Sequence, residues 1–228
     1  MHIAIFEGKA RGGAAIINMG KPDTMIGRLQ LSGAEIRLNT EITPELAKEI
    51  GPDVIVAALG AKPNFPDFMM CGSQNVMMAL DVFTNLEKVG QRVVIVGGGL
   101  VGCELSLQLA QLGKQVTVID RKKEVCRDAS FLFREGLLME LEKVSVTIRS
   151  NTSCLSVDNN EITIQTDREE PVKLFADTII AATVFSPLDD ETEQFRELSY
   201  DFWKIGDCFR VRKLFNARRE GYNAGVHI

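Results

Sequence analysis

Histidine is nearly absent from this chain. Two histidines occur in 228 residues, His2 and His227, and they stand at opposite ends, so neither a histidine-based triad nor a histidine-ligated metal finds a partner acid at workable spacing. Long apolar runs are missing as well: no stretch approaches the roughly 18 residues that crossing a bilayer requires. Glu7, Lys9 and Arg11 interrupt the first residues where a secretory signal would need an unbroken apolar run, so no membrane is expected and the expected setting is cytoplasmic. Positive charge is not in excess, with 26 Lys and Arg against 31 Asp and Glu, a net charge of -5 and a pI near 5.2, which leaves no footprint for a nucleic-acid backbone. The five cysteines, Cys71, Cys103, Cys126, Cys154 and Cys208, are scattered and odd in number. They fit neither a disulfide framework nor a closely spaced metal or redox pair, and reduced, structural thiols are expected. With 45% hydrophobic residues and only seven prolines, the composition is that of a folded globular protein rather than a disordered or low-complexity one.

What is present is an alternation of strands, glycine turns and helices. His2 to Phe6 is a short β-type run ending in Glu7 and leading into a glycine cluster that includes Gly12 and Gly13. Ile36 to Leu38 alternates as a strand. Thr43 to Ile50 reads as a helix capped by Thr43 with Pro44 in its first turn. Val54 to Leu59 is continuously apolar up to Gly60, the pattern of a strand buried on both faces. Val93 to Val96 predicts another strand, followed by a helix whose Val101, Leu105, Leu109 and Leu112 recur at helical spacing until Gly113. Val116 to Ile119 is the next strand. A helix is predicted over 130–141, then β-type runs at 144–148, 154–157, 162–165 and 178–182, and finally a strand at 202–205 meeting Gly206 and Asp207 before a terminal helix through Tyr222 and Ala224. Such an order predicts an α/β fold, a parallel sheet with an antiparallel flank.

The loop Gly97-Gly98-Gly99-Leu100-Val101-Gly102 carries the chemistry. Strand, G-x-G-x-x-G loop and amphipathic helix follow in that order, and Asp120 ends the next strand 18 residues after Gly102. A dinucleotide needs these residue types: a tight turn at Gly97, close backbone approach at Gly99, close helix packing at Gly102, and a helix N-terminus for the pyrophosphate. Asp120 is placed to accept from the adenosine ribose hydroxyls and to repel a 2′-phosphate. Arg121, Lys122 and Lys123 pull the other way or form a solvated turn, and NAD is favoured over NADP.

Val93 to Glu104, Lys114 to Asp120, Trp203 to Cys208 and Arg219 to Ala224 together resemble the C-terminal half of the 2,4-dienoyl-CoA reductase and 2-enoate reductase family. These relatives of trimethylamine dehydrogenase and bacterial NADH oxidases share the two-dinucleotide-binding-domain, Rossmann-like fold of the pyridine nucleotide-disulphide oxidoreductases. The similarity covers nearly the whole chain. It implies a partial FAD-binding domain over 1–85, an inserted NAD(P)-binding domain over 86–186 and a return to the FAD domain over 187–228. Within it, Glu7 matches the acid that binds the FAD ribose and Gly13 lies in the turn after it. Gly60 matches the A-T-G-x-x-P turn, where Leu59 replaces the usual threonine, and Gly206 and Asp207 match the Gly-Asp pair that binds FAD. Glu104 resembles an acid near the nicotinamide, and equally suits the helix dipole as an exposed carboxylate.

The family's first FAD-binding unit, a strand, glycine loop and helix of about 30 residues, has no counterpart before Ile3, and a stable FAD site in this chain is not expected. The iron–sulphur cysteine cluster and the N-terminal flavin-bearing barrel have no counterpart either. The resemblance implies electron input: hydride from NAD(P)H to FAD, then onward to a barrel domain or second subunit that reduces an enoate or dienoyl-CoA. No side chain need act as acid or base. Two other readings stand beside it: a nucleotide-binding module without turnover of its own, or a dehydrogenase that completes its FAD site by pairing with another subunit. In each, the partners are small-molecule nucleotides.

Overall fold

The computed structural model describes residues 4–7, 22–64, 66, 75–167, 169–183 and 185–228. The chain forms two compact units, 1–63 with 185–228, and 64–184.

The first unit opens with strand β1 (Ala4–Glu7), helix α1 (Pro22–Leu31) and strand β2 (Glu35–Leu38), with β1 and β2 pairing in parallel. Helix α1 was not legible in the sequence pattern. Helix α2 (Pro44–Ile50) follows as predicted. The Thr43 hydroxyl accepts the N–H of Leu46, Pro44 occupies the first turn, and Gly51 closes the helix in the left-handed region. Then come β3 (Val54–Ala57) and β4 (Ala61–Pro63).

The second unit begins with β5 (Val76–Met78) and the short helix α3 (Ala79–Val82), then β6 (Arg92–Val96), α4 (Leu100–Gln111), β7 (Gln115–Ile119), α5 (Phe131–Lys143) and β8 (Thr147–Arg149). An antiparallel segment, β9 (Thr152–Asp158), β10 (Glu161–Thr166) and β11 (Val172–Phe175), precedes β12 (Thr178–Ala181). Five strands form a parallel sheet in the order β5-β12-β6-β7-β8, and β9 to β11 form a separate antiparallel sheet.

Successive strand residues point to opposite faces, and here both faces are buried. Val93, Ile95, Val116, Val118 and Ile180 pack with Leu105 and Leu109 of α4 on one side. Val94, Ile119 and Ile179 pack with Val157, Ile162 and Ile164 of the antiparallel sheet on the other. That is why these strands read as unbroken aliphatic runs. Each fully buried Ile or Leu here contributes about 1.5–3 kcal/mol, which makes this unit the hydrophobic centre of the described chain. The α4 face differs from the sequence expectation: Leu105 and Leu109 are buried, whereas Val101 and Leu112 face solvent and Gly102, Cys103 and Ser106 complete the inward stripe.

The return segment supplies β13 (Phe185–Pro187), which pairs antiparallel with β4, a short helix α6 (Asp189–Glu193), β14 (Asp201–Lys204), parallel to β3, and the terminal helix α7 (Leu214–His227). The sequence expectation for β3 is corrected here. Val56 is 40% exposed and Leu59 37% exposed, so this apolar run is not buried on both faces. Among the described residues β3 pairs with β14 alone in a two-stranded sheet, and so small a sheet cannot cover both sides of its strands.

Candidate functional site

The Gly97–Gly102 turn joins β6 to α4. Gly97 sits at φ 116°, and a Cβ there would stand 2.3 Å from the carbonyl oxygen of Ala182, so glycine is demanded twice, by backbone conformation and by the approach of the chain after β12. A Cβ on Gly102 would lie 2.0 Å from the Gly97 carbonyl oxygen and 3.2 Å from the Ala182 methyl. A Cβ on Gly98 would meet Val125 at 2.5 Å. Gly99 is different. At φ -72° its backbone is open to any residue, and a Cβ there would find only the Asp128 carboxylate oxygens, at 3.8 Å.

Asp120 directly follows β7 and braces the turn. One of its carboxylate oxygens accepts the Gly98 N–H at 2.6 Å and the other accepts the Lys122 N–H at 2.7 Å. The acid expected to hold a ribose is thus also an internal strut, with lone pairs left on each oxygen for a further donor. Arg121, Lys122 and Lys123 are exposed.

Two features escaped the sequence pattern. Asp128 accepts the N–H of Leu100, the first residue of α4, with both oxygens, at 2.9 and 3.2 Å, so a carboxylate already stands at the helix N-terminus. The turn carrying it is anchored by the Cys126 N–H, which donates to the Gly98 carbonyl at 2.6 Å. That same carbonyl receives the Cys103 thiol at 3.5 Å. Cys103 and Cys126, 23 residues apart in sequence, are therefore neighbours in one buried cluster. Burial pushes the Cys103 thiol up to about 12 and raises Cys126 as well, which keeps both as unreactive thiols. Glu104 lies at the helix surface, yet partial burial of its carboxyl, helped by the negative charge of Asp128, raises it above the ordinary carboxylate range.

In the first unit, Glu7 ends β1 opposite Leu38, and Gly13 lies outside the described residues. Gly60, at φ 82°, accepts the Leu188 N–H at 3.2 Å. Gly206, at φ 67°, donates its N–H to Glu220 at 2.8 Å, while Asp207 accepts the Arg212 N–H at 3.0 Å and the Arg212 guanidinium pairs with Glu220. These contacts set the Gly-Asp turn against α7. Among the described residues, the strand–glycine turn–helix arrangement that cradles a diphosphate occurs once, at 97–102.

A parallel sheet with a helix on one face and an antiparallel sheet on the other, a glycine turn feeding a helix N-terminus and an acid just after the next strand together define a Rossmann-like oxidoreductase domain. The chain belongs to the pyridine nucleotide-disulphide oxidoreductase family, whose pattern it matches over residues 25–198. Proteins of this family are flavin-dependent oxidoreductases that use FAD and NAD(P)H.

Among its relatives is the cinnamate reductase of Clostridium sporogenes, 30% identical over 208 residues, spanning 89% of this chain and 30% of that protein. The NADH oxidase of Thermoanaerobacter brockii is 24% identical over 90% of this chain and 32% of its own length. The structure of a 2-naphthoyl-CoA reductase in complex with 2-naphthoyl-CoA superposes on 99% of this chain with a TM-score of 0.86 at 26% identity, using 36% of that protein. The chain thus spans about a third of the length of these relatives. No helix among the described residues is long and apolar enough to cross a membrane.

Of the family's two cofactors, NAD(P) is the one whose diphosphate the described residues can receive at a glycine turn and helix N-terminus. The 97–102 segment combines a glycine turn with a helix N-terminus, and Asp120 follows the next strand, the set of groups that a dinucleotide needs. For FAD, the described residues offer Glu7, Gly60, Gly206 and Asp207 but no second diphosphate cradle.

Proposed function

We propose that this chain is the nucleotide-handling part of a larger NAD(P)H-dependent flavin reductase, and that its 64–184 unit binds NAD(H) at the Gly97–Gly102 turn. One observation carries the reading. Gly97, Gly98 and Gly102 are explained by internal packing, whereas among the described residues no backbone or core side chain demands glycine at 99, as in a turn that a ligand's diphosphate approaches. Gly98, Leu100 and Val101 lie along the same turn and first helical residues, Leu100 and its neighbours directing N–H groups out of the helix end. Asp120 receives the adenosine ribose and disfavours a 2′-phosphate, so NAD is preferred, with Arg121 beside it as the opposing charge.

When bound, NAD(P)H supplies a hydride and a flavin accepts it; the protein contributes binding and alignment. Glu104, with its raised carboxyl, is the acidic group of the chain that lies on the turn's own helix. The onward acceptor is a flavin-bearing barrel domain or subunit that reduces an enoate or acyl-CoA; the cinnamate reductase and 2-naphthoyl-CoA reductase among the chain's relatives support the substrate class. Glu7, Gly60, Gly206 and Asp207 belong to the part of the chain that addresses FAD.

Calorimetric titration with NADH tests the assignment. The wild-type chain binds, while Gly99→Val, whose branched side chain fills the approach to the turn, abolishes binding and leaves the circular dichroism spectrum native. Unchanged affinity in Gly99→Val removes the turn from the nucleotide site.

A further inference from the structure

The helix N-terminus that the proposed site would offer to a diphosphate is already engaged by an anion of the protein's own. Asp128 accepts the Leu100 N–H with both carboxylate oxygens, at 2.9 and 3.2 Å, and a Cβ on Gly99 would find those same oxygens at 3.8 Å. The carboxylate therefore stands at the two features that mark the diphosphate position, the open glycine and the first amide of α4. A phosphate group and a carboxylate satisfy the same orphan N–H groups and the same helix dipole. They cannot do so together.

The surroundings sharpen the conflict. Asp120 binds the Gly98 N–H from the other side of the turn, and Glu104 is close enough to Asp128 for its carboxyl to be raised by that charge. Three carboxylates thus border one turn. The cations near Asp128 are committed elsewhere or exposed: Arg134 donates to the Val125 carbonyl and pairs with Glu124 and Glu135, and Arg127 is exposed.

The backbone beneath Asp128 is fixed. Val125 and Cys126 are buried, the Cys126 N–H is bonded to the Gly98 carbonyl at 2.6 Å, and the Ala129 N–H to the Cys126 carbonyl at 3.2 Å. The Asp128 side chain itself is exposed. Rotation of that side chain alone is enough to vacate the helix end, with no movement of the turn.

Resting on the dinucleotide reading above, we propose that Asp128 is a built-in competitor for the nucleotide diphosphate, an intramolecular anion that must leave Leu100 before the nucleotide can seat and that thereby sets the affinity of the site. A carboxylate tethered at its target lowers the apparent affinity by the fraction of time it occupies the amide. Its charge adds repulsion of the incoming phosphates.

The test is titration of wild type, Asp128→Ala and Asp128→Asn with NADH, ADP-ribose and adenosine. Loss of one charge-assisted contact should tighten NADH and ADP-ribose by about tenfold in Asp128→Ala, with a smaller gain in Asp128→Asn, which keeps an acceptor but not the charge. Adenosine, which carries no phosphate, should bind all three alike. Equal or weaker NADH binding by the variants, or an equal gain for adenosine, overturns the competitor role while wild-type binding leaves the dinucleotide reading standing. Absence of NADH binding in wild type and both variants overturns the two together. Should Asp128→Ala lose its fold, the Asn variant carries the same comparison, since its side chain still caps the amide.

Discussion

The carbonyl oxygen of Gly97 lies 2.0 Å from where a Cβ on Gly102 would stand. Strand end and helix start are packed backbone to backbone, five residues apart, and this closeness is what aims the N-terminus of α4 across the turn.

Gly102→Ala should therefore cost stability, because the methyl meets backbone that cannot swing aside; overpacking of this kind costs about 1–3 kcal/mol. Gly99→Ala, whose methyl meets the Asp128 carboxylate oxygens at 3.8 Å, an ordinary van der Waals distance, should leave the thermal midpoint within experimental scatter. The contrast in thermal unfolding between two glycines of the same turn separates a packing requirement from a ligand requirement. Equal losses at both positions would show that Gly99 is also structural.

Asp120 has two duties, and substitutions should split them. Asp120→Ala removes acceptors from the Gly98 and Lys122 N–H groups and should destabilise the second unit by about 1.5–3 kcal/mol, the range for hydrogen bonds to a charged group. It should also weaken NADH and reduce discrimination against NADPH. Asp120→Asn keeps an acceptor oxygen for one of the two N–H groups and sets an NH2 donor against the other, so it should recover only part of that stability while still admitting NADPH. Chemical denaturation and parallel NADH and NADPH titrations read the two effects. A preference of the wild type for NADPH would hand the choice of cofactor to Arg121 and Lys122.

Glu104 provides a pH signature. Its carboxyl is raised by partial burial and by Asp128, so the folded state holds this proton more tightly than the unfolded chain does. Stability contributed by the protonated form is complete below the unfolded carboxylate value and is lost as pH rises through the raised one. Glu104→Gln, fixed in the neutral form, should match wild type at low pH and be the more stable protein at neutral pH. In Asp128→Asn the difference should shrink, because one of the two causes is gone. Thermal midpoints of the three proteins across the acidic range check this, and a Gln variant less stable than wild type at neutral pH would contradict it.

Flavin should bind this chain far more weakly than NADH does. Glu7, Gly60, Gly206 and Asp207 can address ribose and ribityl groups, but the only strand–glycine turn–helix cradle among the described residues is the one at 97–102. FAD fluorescence titration beside NADH titration measures the gap. Tight FAD binding that survives Gly99→Val would place a diphosphate site in the first unit without such a cradle.

The sequence by itself determined the parts whose chemistry is local. Val93–Val96, the glycine turn and the helix after it were legible because periodicity, glycine spacing and the following Asp120 are written within one short segment, and α2 because its cap and proline stand at its start. Local pattern also overreached. It took Val54–Leu59 for a doubly buried strand, since a continuous apolar run looks the same whether or not something covers its second face, and it placed Val101 and Leu112 inward because hydrophobicity marks a helix face only to within a turn. What tertiary structure alone decided are meetings between distant residues. Asp128 reaches Leu100 across 28 residues and Cys126 reaches Cys103 across 23, through a turn held down by Val125 against Gly98 and by one shared carbonyl. No spacing rule encodes them, because the distance between such residues is set by how β7 and the chain after it fold back over the end of β6, and a carboxylate becomes an internal anion only when that path delivers it to an amide that has no other partner.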